Sequence, residues 1–223
     1  MNKTAKRILS FALFCVSAAS TVFVLGAVPH LDEGDVPPIA FSDVPGDAWY
    51  CSYVEQALSL GLMNGTSANR FEPDAPMTRG MVATVIYRLA NSPPVMIRAT
   101  PFTDVSTEDW YYDAVVWAFD DGVVTGMGDG RFAPEQLISR EQMAVMMYRY
   151  AQFAGYDVSV SSLFTLSGFI DADNVSEFAG ASMSWANSNN VITGKPGGFL
   201  DPKGSAARAE FAAVLIRLME LNE

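Results

Sequence analysis

The chain has 223 residues, half of them apolar, which is enough for one or two compact domains with a substantial core. Its formal net charge at pH 7 is −11. An acidic surface of this kind repels nucleic acid and anionic lipid, so the composition argues against both as partners while leaving room for a local basic pocket.

Residues 1–27 have the pattern of an export signal. Lys3 and Arg7 belong to a basic start, an apolar run follows, and Ala27 ends the segment at a suitable cleavage site. The alternative is an uncleaved membrane anchor, because an apolar run of about 20 residues is long enough to span a bilayer. We therefore predict a secreted protein, membrane-anchored if the signal is not cleaved. Residues 28–40 have the composition of a flexible spacer.

The rest of the chain contains three copies of one sequence repeat. Ten residues of the first copy recur 61 positions later, which is not a coincidence, and a more divergent third copy follows at an offset of 67 to 68. The copies occupy residues 41–91, 102–155 and 169–221. The recurring residues of the first copy are Phe41, Asp43, Trp49, Gly61, Gly65, Phe71, Pro73, Arg79, Tyr87 and Arg88.

Each copy has the pattern of a helix, a loop and a second helix. In the second copy, Val115, Ala118 and Phe119 form a one-sided apolar stripe, which predicts a first helix over about 109–121. Gly122 is typical of the residue that ends a helix. The loop that follows is rich in turn residues.

The second helices carry clearer start signals. Ser139 is a typical N-cap, and Gln142 completes a capping box with it. Thr78 is the matching cap in the first copy, whereas Ala207 has no side-chain acceptor and should fix its helix less well. Apolar residues follow at i, i+3, i+4 and i+7, and a two-helix unit cannot bury such a face alone. The apolar residues are Val82, Val85, Ile86 and Leu89, then Met143, Met146, Met147 and Tyr150, then Phe211, Val214, Leu215 and Leu218.

These patterns predict a mainly α fold in which three second helices pack their apolar faces together around a pseudo-threefold axis. An open solenoid is the alternative arrangement. The methionine-rich face of the second copy is expected to be core and not a ligand surface.

An arginine at the first helical position recurs in every copy, as Arg79, Arg140 and Arg208. One interpretation is a solvated side chain, or one paired with a nearby acid. The paired acids would be the repeated Asp43, Asp104 and Asp171. The other interpretation is an anion site, because a helix N-terminus offers free N–H groups and a guanidinium matches a carboxylate or phosphate.

At this point a family resemblance is clear. The segments "FSDVPGDAWY", "GLMNGTSANRFEPDAPMTRGM" and "FTDVSTEDWYYDAVVWAFDDGVVTGMGDGRFAPEQLISREQMA" resemble the S-layer homology repeat of bacterial surface proteins. The resemblance covers residues 41–221. It implies three repeats around a central three-helix bundle, and non-covalent binding of secondary cell-wall polysaccharide attached to peptidoglycan, often through a pyruvylated amino sugar. It also implies a location at the cell wall or S-layer.

Carried over position by position, the resemblance implies that the boxed arginines contact the anionic group in grooves between adjacent repeats. The predicted ligand-binding residues are Arg79, Arg140, Arg208, Asp43, Asp104, Trp49, Trp110, Gly65 and Gly126. The box's acid is lost in the first copy and displaced in the second, and Phe178 replaces the tryptophan in the third. We therefore expect the second copy to provide the best groove, the first copy the next best, and the third copy to be structural.

Other functional classes have weaker support in the sequence. The repeats contain no histidine, and Asp120 and Asp121 are adjacent on a helix, so their carboxylates diverge instead of facing one substrate. The segment 171–174 lacks the remaining ligands of a calcium loop, so neither a metal nor a cofactor is predicted. The serious alternative to glycan binding is a protein–protein interaction scaffold whose grooves have degenerated.

Overall fold

The computed structural model describes residues 41–96, 100–159 and 166–221, which contain six α-helices and two short 3-10 helices. The α-helices are α1 (Cys51–Ser59), α2 (Arg79–Leu89), α3 (Tyr112–Asp120), α4 (Arg140–Ala154), α5 (Gly180–Ser188) and α6 (Arg208–Glu220). The 3-10 helices are Ala172–Asn174 and Glu177–Ala179. Within these ranges the only β-type pairings are isolated bridges, so the predicted mainly α class is confirmed. The predicted signal and spacer lie outside the described residues.

The helix boundaries largely follow the local sequence signals. The Ser139 hydroxyl accepts from the Gln142 N–H at 3.3 Å, and the Gln142 side chain accepts from the Ser139 N–H at 3.1 Å, which confirms the capping box. The Thr78 hydroxyl caps α2 by accepting from the Met81 N–H at 3.3 Å, although the Met81 side chain cannot complete a box. Helix α3 begins at Tyr112, three residues later than predicted, and Gly122 follows it with a φ of +75°. This left-handed conformation explains the glycine.

The helices pair across repeat boundaries. Helix α2 of the first repeat packs against α3 of the second, α4 of the second against α5 of the third, and α6 of the third against α1 of the first. Each repeat therefore buries its second helix against the first helix of the next repeat. The sequence predicted that second helices pack on one another, and α2 and α4 do so. The packing of second helices against first helices was not part of that prediction.

A ring of backbone hydrogen bonds joins the three repeats just before their second helices. The Met77 N–H donates to the Ala206 carbonyl at 2.9 Å, Ala206 donates to Ile138 at 3.0 Å, and Ile138 donates back to Met77 at 3.0 Å. These three residues occupy one position of the repeat, and all three are buried. The ring joins equivalent positions of the three repeats in a cycle, while a pseudo-threefold axis stays a prediction. The central three-helix bundle stays a prediction.

The core contains most of the apolar residues that the periodicity selected. Met143, Met146 and Met147 are buried, as a core role requires. Two of the selected residues are less buried: Leu89 is partly buried, and 38% of Phe119 is exposed, with its ring edge-on to Phe102. In the described part of the chain, no helix is both long and apolar enough to cross a bilayer.

Candidate functional site

In each repeat, an aspartate near the start of the repeat accepts hydrogen bonds from the loop between the two helices. The Asp43 carboxylate accepts from the Phe71 N–H at 2.9 Å and from the Glu72 N–H at 2.8 Å. The same pair of bonds joins Asp104 to Phe132 and Ala133, and Asp171 to Leu200 and Asp201. The second donor of each pair has a φ between +53° and +58°, a conformation that a side-chain-bearing residue rarely adopts. The aspartates thus hold a strained loop in place.

Burial and hydrogen bonding act in opposite directions on the pKa of Asp43 and of Asp171. Desolvation disfavours the charged form of Asp43, but the hydrogen bonds from Phe71 and Glu72 outweigh it, so its pKa lies below the usual value. The pKa of Asp171 is lowered by the same balance, with donors Leu200 and Asp201. Both carboxylates are therefore ionised at neutral pH and bonded within their own repeat.

The two predicted glycines are required by packing. A Cβ built on Gly65 would lie 2.6 Å from the Phe41 ring, and one on Gly126 would lie 2.7 Å from the Phe102 ring. No real side chain tolerates such contacts, so each phenylalanine rests directly on backbone. The bare backbone that results forms part of a groove wall.

Two of the three repeated arginines are buried, and the third, Arg208, is partly buried. Only 5% of Arg79 and 4% of Arg140 is exposed, so the interpretation of solvated side chains is wrong for these two. Arg79 donates from Nε to the Phe132 carbonyl at 2.9 Å and from Nη2 to the Thr125 carbonyl at 3.2 Å. Both acceptors belong to the loop of the next repeat. The guanidinium therefore binds main-chain oxygens across a repeat boundary.

The other two arginines make the same pair of bonds in cyclic order. Arg140 donates to the Leu200 and Thr193 carbonyls of the third repeat, and Arg208 to the Phe71 and Asn64 carbonyls of the first. Arg79 and Arg208 also lie over the aromatic rings of the loops that they bind. Each arginine thus joins its helix N-terminus to the neighbouring loop.

The third guanidinium nitrogen, Nη1, has different hydrogen-bond partners in the three arginines. Arg140 Nη1 donates to the Glu210 carboxylate at 3.0 Å. Within the described ranges, Nη1 has no hydrogen-bond partner in either Arg79 or Arg208.

Arg79 faces a cavity of about 300 Å³, which we call the Arg79 groove. Its walls consist of the loop and second helix of the second repeat, with Phe178 of the third repeat at one side. The lining residues are Arg79, Thr125, Gly126, Met127, Gln142, Val145, Met146, Arg149 and Phe178.

A second cavity of about 170 Å³, the Arg208 groove, has the same design. Its walls come from the first repeat, and Trp110 of the second repeat takes the place of Phe178. The lining residues are Met63, Asn64, Gly65, Met77, Met81, Thr84, Val85, Arg88, Trp110 and Arg208.

Each groove therefore combines all three repeats: one supplies the arginine, the next supplies the loop and helix, and the third supplies the aromatic ring. The predicted ranking assigned one groove to each copy of the repeat, whereas each groove is built from all three repeats. Arg79 and Gly126 meet in one groove, and Arg208, Gly65 and Trp110 meet in the other. The other predicted residues, Asp43, Asp104, Arg140 and Trp49, line neither groove.

The groove linings are positively charged. Neither contains an acidic residue, and each holds a second arginine, Arg149 or Arg88. Desolvation by burial lowers the pKa of Arg79, Arg149 and Arg208, and the neighbouring Arg149 lowers that of Arg79 further, while Asp104 opposes the shift. Arginine remains protonated at neutral pH, so these are desolvated cations that an anion would stabilise.

Sequence reasoning did not place the second arginines, Gln142 or Phe178 among the ligand-binding residues. A signal for the arginines was present, because Arg88 and Arg149 recur at the same offset as Arg79 and Arg140. Among the described residues, no group of three or more histidine, cysteine, aspartate or glutamate side chains is arranged to hold a metal ion.

Fold and grooves together define a class of protein: a helical repeat domain with basic clefts between its repeats. The S-layer homology domain profile matches residues 40–80, 101–144 and 168–212, which is more than half of the chain. The chain belongs to the S-layer homology domain family, whose domain is a cell-wall anchoring module.

Several known proteins share this region. The chain is 31% identical to an amylopullulanase of Thermoanaerobacterium thermosulfurigenes over 182 residues, covering 81% of this chain. It is 28% identical to exoglucanase XynX of Acetivibrio thermocellus over 184 residues, covering 82%, and 25% identical to the surface-layer 125 kDa protein of Lysinibacillus sphaericus over 211 residues, covering 93%. The chain spans only 9%, 16% and 17% of the length of these three relatives, respectively.

Proposed function

We propose that this protein binds an anionic secondary cell-wall polysaccharide non-covalently in its inter-repeat grooves, and is thereby held at the bacterial cell surface. Membership of the S-layer homology family supports the anchoring role. The name of the surface-layer relative fits a location at the cell surface. The protein is proposed to act as a binding module, with no catalytic step.

One observation supports this proposal above the others: Arg79 is 95% buried, yet its Nη1 has no hydrogen-bond partner among the described residues and the side chain lines a cavity. Water in the cavity can fill this position, whereas a hydrogen bond to a charged group contributes roughly 1.5–3 kcal/mol. A carboxylate that enters the groove satisfies this donor with a charge-assisted bond. Arg208 is only partly buried, but it also lines a groove and has no hydrogen-bond partner for Nη1 among the described residues.

The groove walls suit a sugar that carries the anion. Trp110 is 61% exposed and Phe178 62% exposed, so each presents an accessible aromatic face at its groove. Such faces stack against the apolar side of a sugar ring, while the arginines bind its acidic substituent. The ketal carboxylate of a pyruvylated amino sugar matches both requirements.

Sedimentation with peptidoglycan sacculi of the host tests the proposal. Protein produced from the full sequence is mixed with intact sacculi and with sacculi stripped of secondary polymer. We expect it to pellet only with intact sacculi, and less at high salt because screening weakens exposed charge contacts.

The informative variant is Arg88→Ala/Arg149→Ala, which removes the second arginine of each groove and leaves the structural contacts of Arg79 and Arg208 in place. We expect its affinity for intact sacculi to fall about tenfold or more, at roughly 1.5 kcal/mol or above per charged hydrogen bond.

Arg70→Ala/Arg131→Ala is the matched control. It makes the same change in charge at two exposed positions that line neither groove. This control should bind as the unmodified protein does. If the unmodified protein ignores intact sacculi, wall binding is refuted and a protein–protein interaction scaffold is favoured.

A further inference from the structure

We propose that Asn64 and Gly65 form a site of spontaneous deamidation, at which the guanidinium of Arg208 accelerates the conversion of Asn64 to aspartate and isoaspartate. The reaction consumes only water, and it turns a neutral side chain of the Arg208 groove wall into a carboxylate. No ligand takes part in it, so the inference goes beyond the proposed function and does not depend on it.

The chain contains a single Asn-Gly pair, and it lies in the first repeat. All three repeats have a glycine at this loop position, namely Gly65, Gly126 and Gly194. In the second and third repeats the preceding residue is a threonine, Thr125 or Thr193, which has no carboxamide to lose. Asparagine before glycine is the reactive combination, because the missing Cβ lets the glycine nitrogen approach the asparagine side chain.

The packing of the first repeat imposes this reactive neighbour on Asn64. A Cβ on Gly65 would lie 2.6 Å from the Phe41 ring and 2.7 Å from the Ser67 carbonyl oxygen, so only glycine fits. Asn64 itself is exposed in the loop after α1. Among the described residues, neither its side chain nor the Gly65 N–H has a hydrogen-bond partner, so no such bond holds the two reacting groups apart.

Arg208 binds the peptide group that must react. Its Nη2 donates to the Asn64 backbone carbonyl at 2.6 Å, and this carbonyl belongs to the same peptide group as the Gly65 N–H. When that N–H loses its proton, the negative charge lies largely on the carbonyl oxygen. A cation bonded to this oxygen stabilises the anion more than the neutral amide, because a hydrogen bond between opposite charges is the stronger one. The nucleophile therefore forms more readily than in an unstructured chain.

The reaction proceeds through a cyclic imide. Solvent removes the proton of the Gly65 N–H, and the nitrogen attacks the side-chain amide carbon of Asn64. A carbon–nitrogen bond forms, the bond to the side-chain nitrogen breaks, and that nitrogen takes a proton from solvent and departs as ammonia. Water then opens the imide at either of its two carbonyls. One opening gives aspartate, and the other gives isoaspartate, whose main chain runs through the former side chain.

Both products change the contact between the third and first repeats. Aspartate keeps the carbonyl that Arg208 binds and adds a negative charge to the groove wall. In isoaspartate that carbonyl becomes a free carboxylate, and the main chain gains one carbon. The Arg79 groove has Thr125 at the equivalent position and cannot undergo the change, so ageing alters one groove and leaves the other as it is.

Ageing of protein produced from the full sequence tests the inference. The folded protein and the same chain unfolded in urea are kept in one mildly alkaline buffer at one temperature. Pepsin digestion at acidic pH, where the imide forms slowly, is followed by mass spectrometry of the peptide that contains Asn64. We expect the mass gain of deamidation, with aspartate and isoaspartate as two separable products, at a rate in the folded protein no lower than in urea.

Arg208→Gln retains a hydrogen-bond donor and removes the charge. We expect it to slow the conversion of Asn64 in the folded protein about threefold or more, because the bond to the anion loses its charge assistance. Arg140→Gln is the matched control, since it makes the same change at the equivalent arginine, whose carbonyl acceptors lie in the third repeat. This control should leave the rate at Asn64 unchanged. Circular dichroism verifies that both variants are folded, and if either is not, the comparison of folded and unfolded unmodified protein decides.

The inference is overturned if Asn64 converts more slowly in the folded protein than in urea, because the fold would then protect the pair. It is also overturned if aspartate is the only product, which would mean direct hydrolysis, or if the folded variants Arg208→Gln and Arg140→Gln convert at the same rate. None of these measurements contains a ligand. Failure here therefore leaves wall binding untouched, and protein that ignores sacculi can still deamidate.

Discussion

At the scale of the residue, the repeated polar side chains form hydrogen bonds with the protein backbone even without a ligand. Asp43 binds two successive N–H groups of its own repeat, and Arg79 binds two carbonyls of the next. Alanine substitution at Arg79 would therefore disturb the fold together with the groove. The second arginines are better reporters of binding, because, among the described residues, Arg149 bonds only the Thr125 hydroxyl and Arg88 bonds a single backbone carbonyl within its own repeat.

The aspartates make stability sensitive to acid. A pKa lowered on folding stabilises the protein above the unfolded value, roughly 4, and this contribution disappears as pH falls through the folded pKa. We expect Asp43→Asn/Asp171→Asn to lower the free energy of unfolding most above about pH 5, and the deficit relative to the unmodified protein to shrink below about pH 4. Urea unfolding across this range measures it.

Asp47→Asn is the control, since it removes an exposed carboxylate from the same loop region. A deficit that is constant with pH, or one that Asp47→Asn shares, would contradict the stated role of the two aspartates.

At the scale of the element, the second helices differ mainly in how they begin. Helix α4 has a complete capping box, and α2 has a threonine cap. Helix α6 begins after Ala207, which has no side-chain acceptor, so it retains only the bond from the Ala207 N–H to the Glu210 carboxylate, at 3.4 Å. The backbone at Ala207 has the extended conformation of the other two caps.

Because the conformation is already correct, Ala207→Ser should stabilise the protein. We expect a gain of about 0.5–1 kcal/mol in the free energy of unfolding, the usual value of a serine N-cap relative to alanine. Chemical denaturation measures the change, and Ser139→Ala provides the reverse test in α4. If Ala207→Ser is neutral while Ser139→Ala is costly, the start of α6 is fixed by tertiary contacts and not by its cap.

At the scale of the whole molecule, the repeats depend on one another in a cycle. Helix α1 packs against α6 of the third repeat, and the hydrogen-bond ring also returns from Met77 to Ala206. An open solenoid would leave its first and last repeats without this contact. Removing one repeat from a closed ring breaks two interfaces.

A chain ending at residue 159 tests closure. It lacks α5 and α6, so α1 loses its partner α6, and α4 loses α5 and keeps only α2. We expect the full chain to unfold in one cooperative urea transition and the two-repeat chain to show none, with circular dichroism as the readout. A two-repeat chain that unfolds cooperatively, with stability reduced only in proportion to its length, would support the solenoid.

The sequence by itself determined what depends on neighbouring residues: the three repeats, the caps at Thr78 and Ser139, the turn at Gly122 and the apolar faces of the second helices. These features follow from interactions within a few residues, so their spacing along the chain is enough to predict them. The family followed from the same local motifs.

Only the tertiary structure decided how the repeats share their grooves. The Thr125 carbonyl lies 46 residues from Arg79, and Glu210 lies 70 residues from Arg140, so no local pattern relates them. Whether an arginine has a free donor depends on the residue that folding brings opposite it. The arginine recurs in all three repeats, but its surroundings differ, because the pairing of helices across repeat boundaries determines which residues lie next to it.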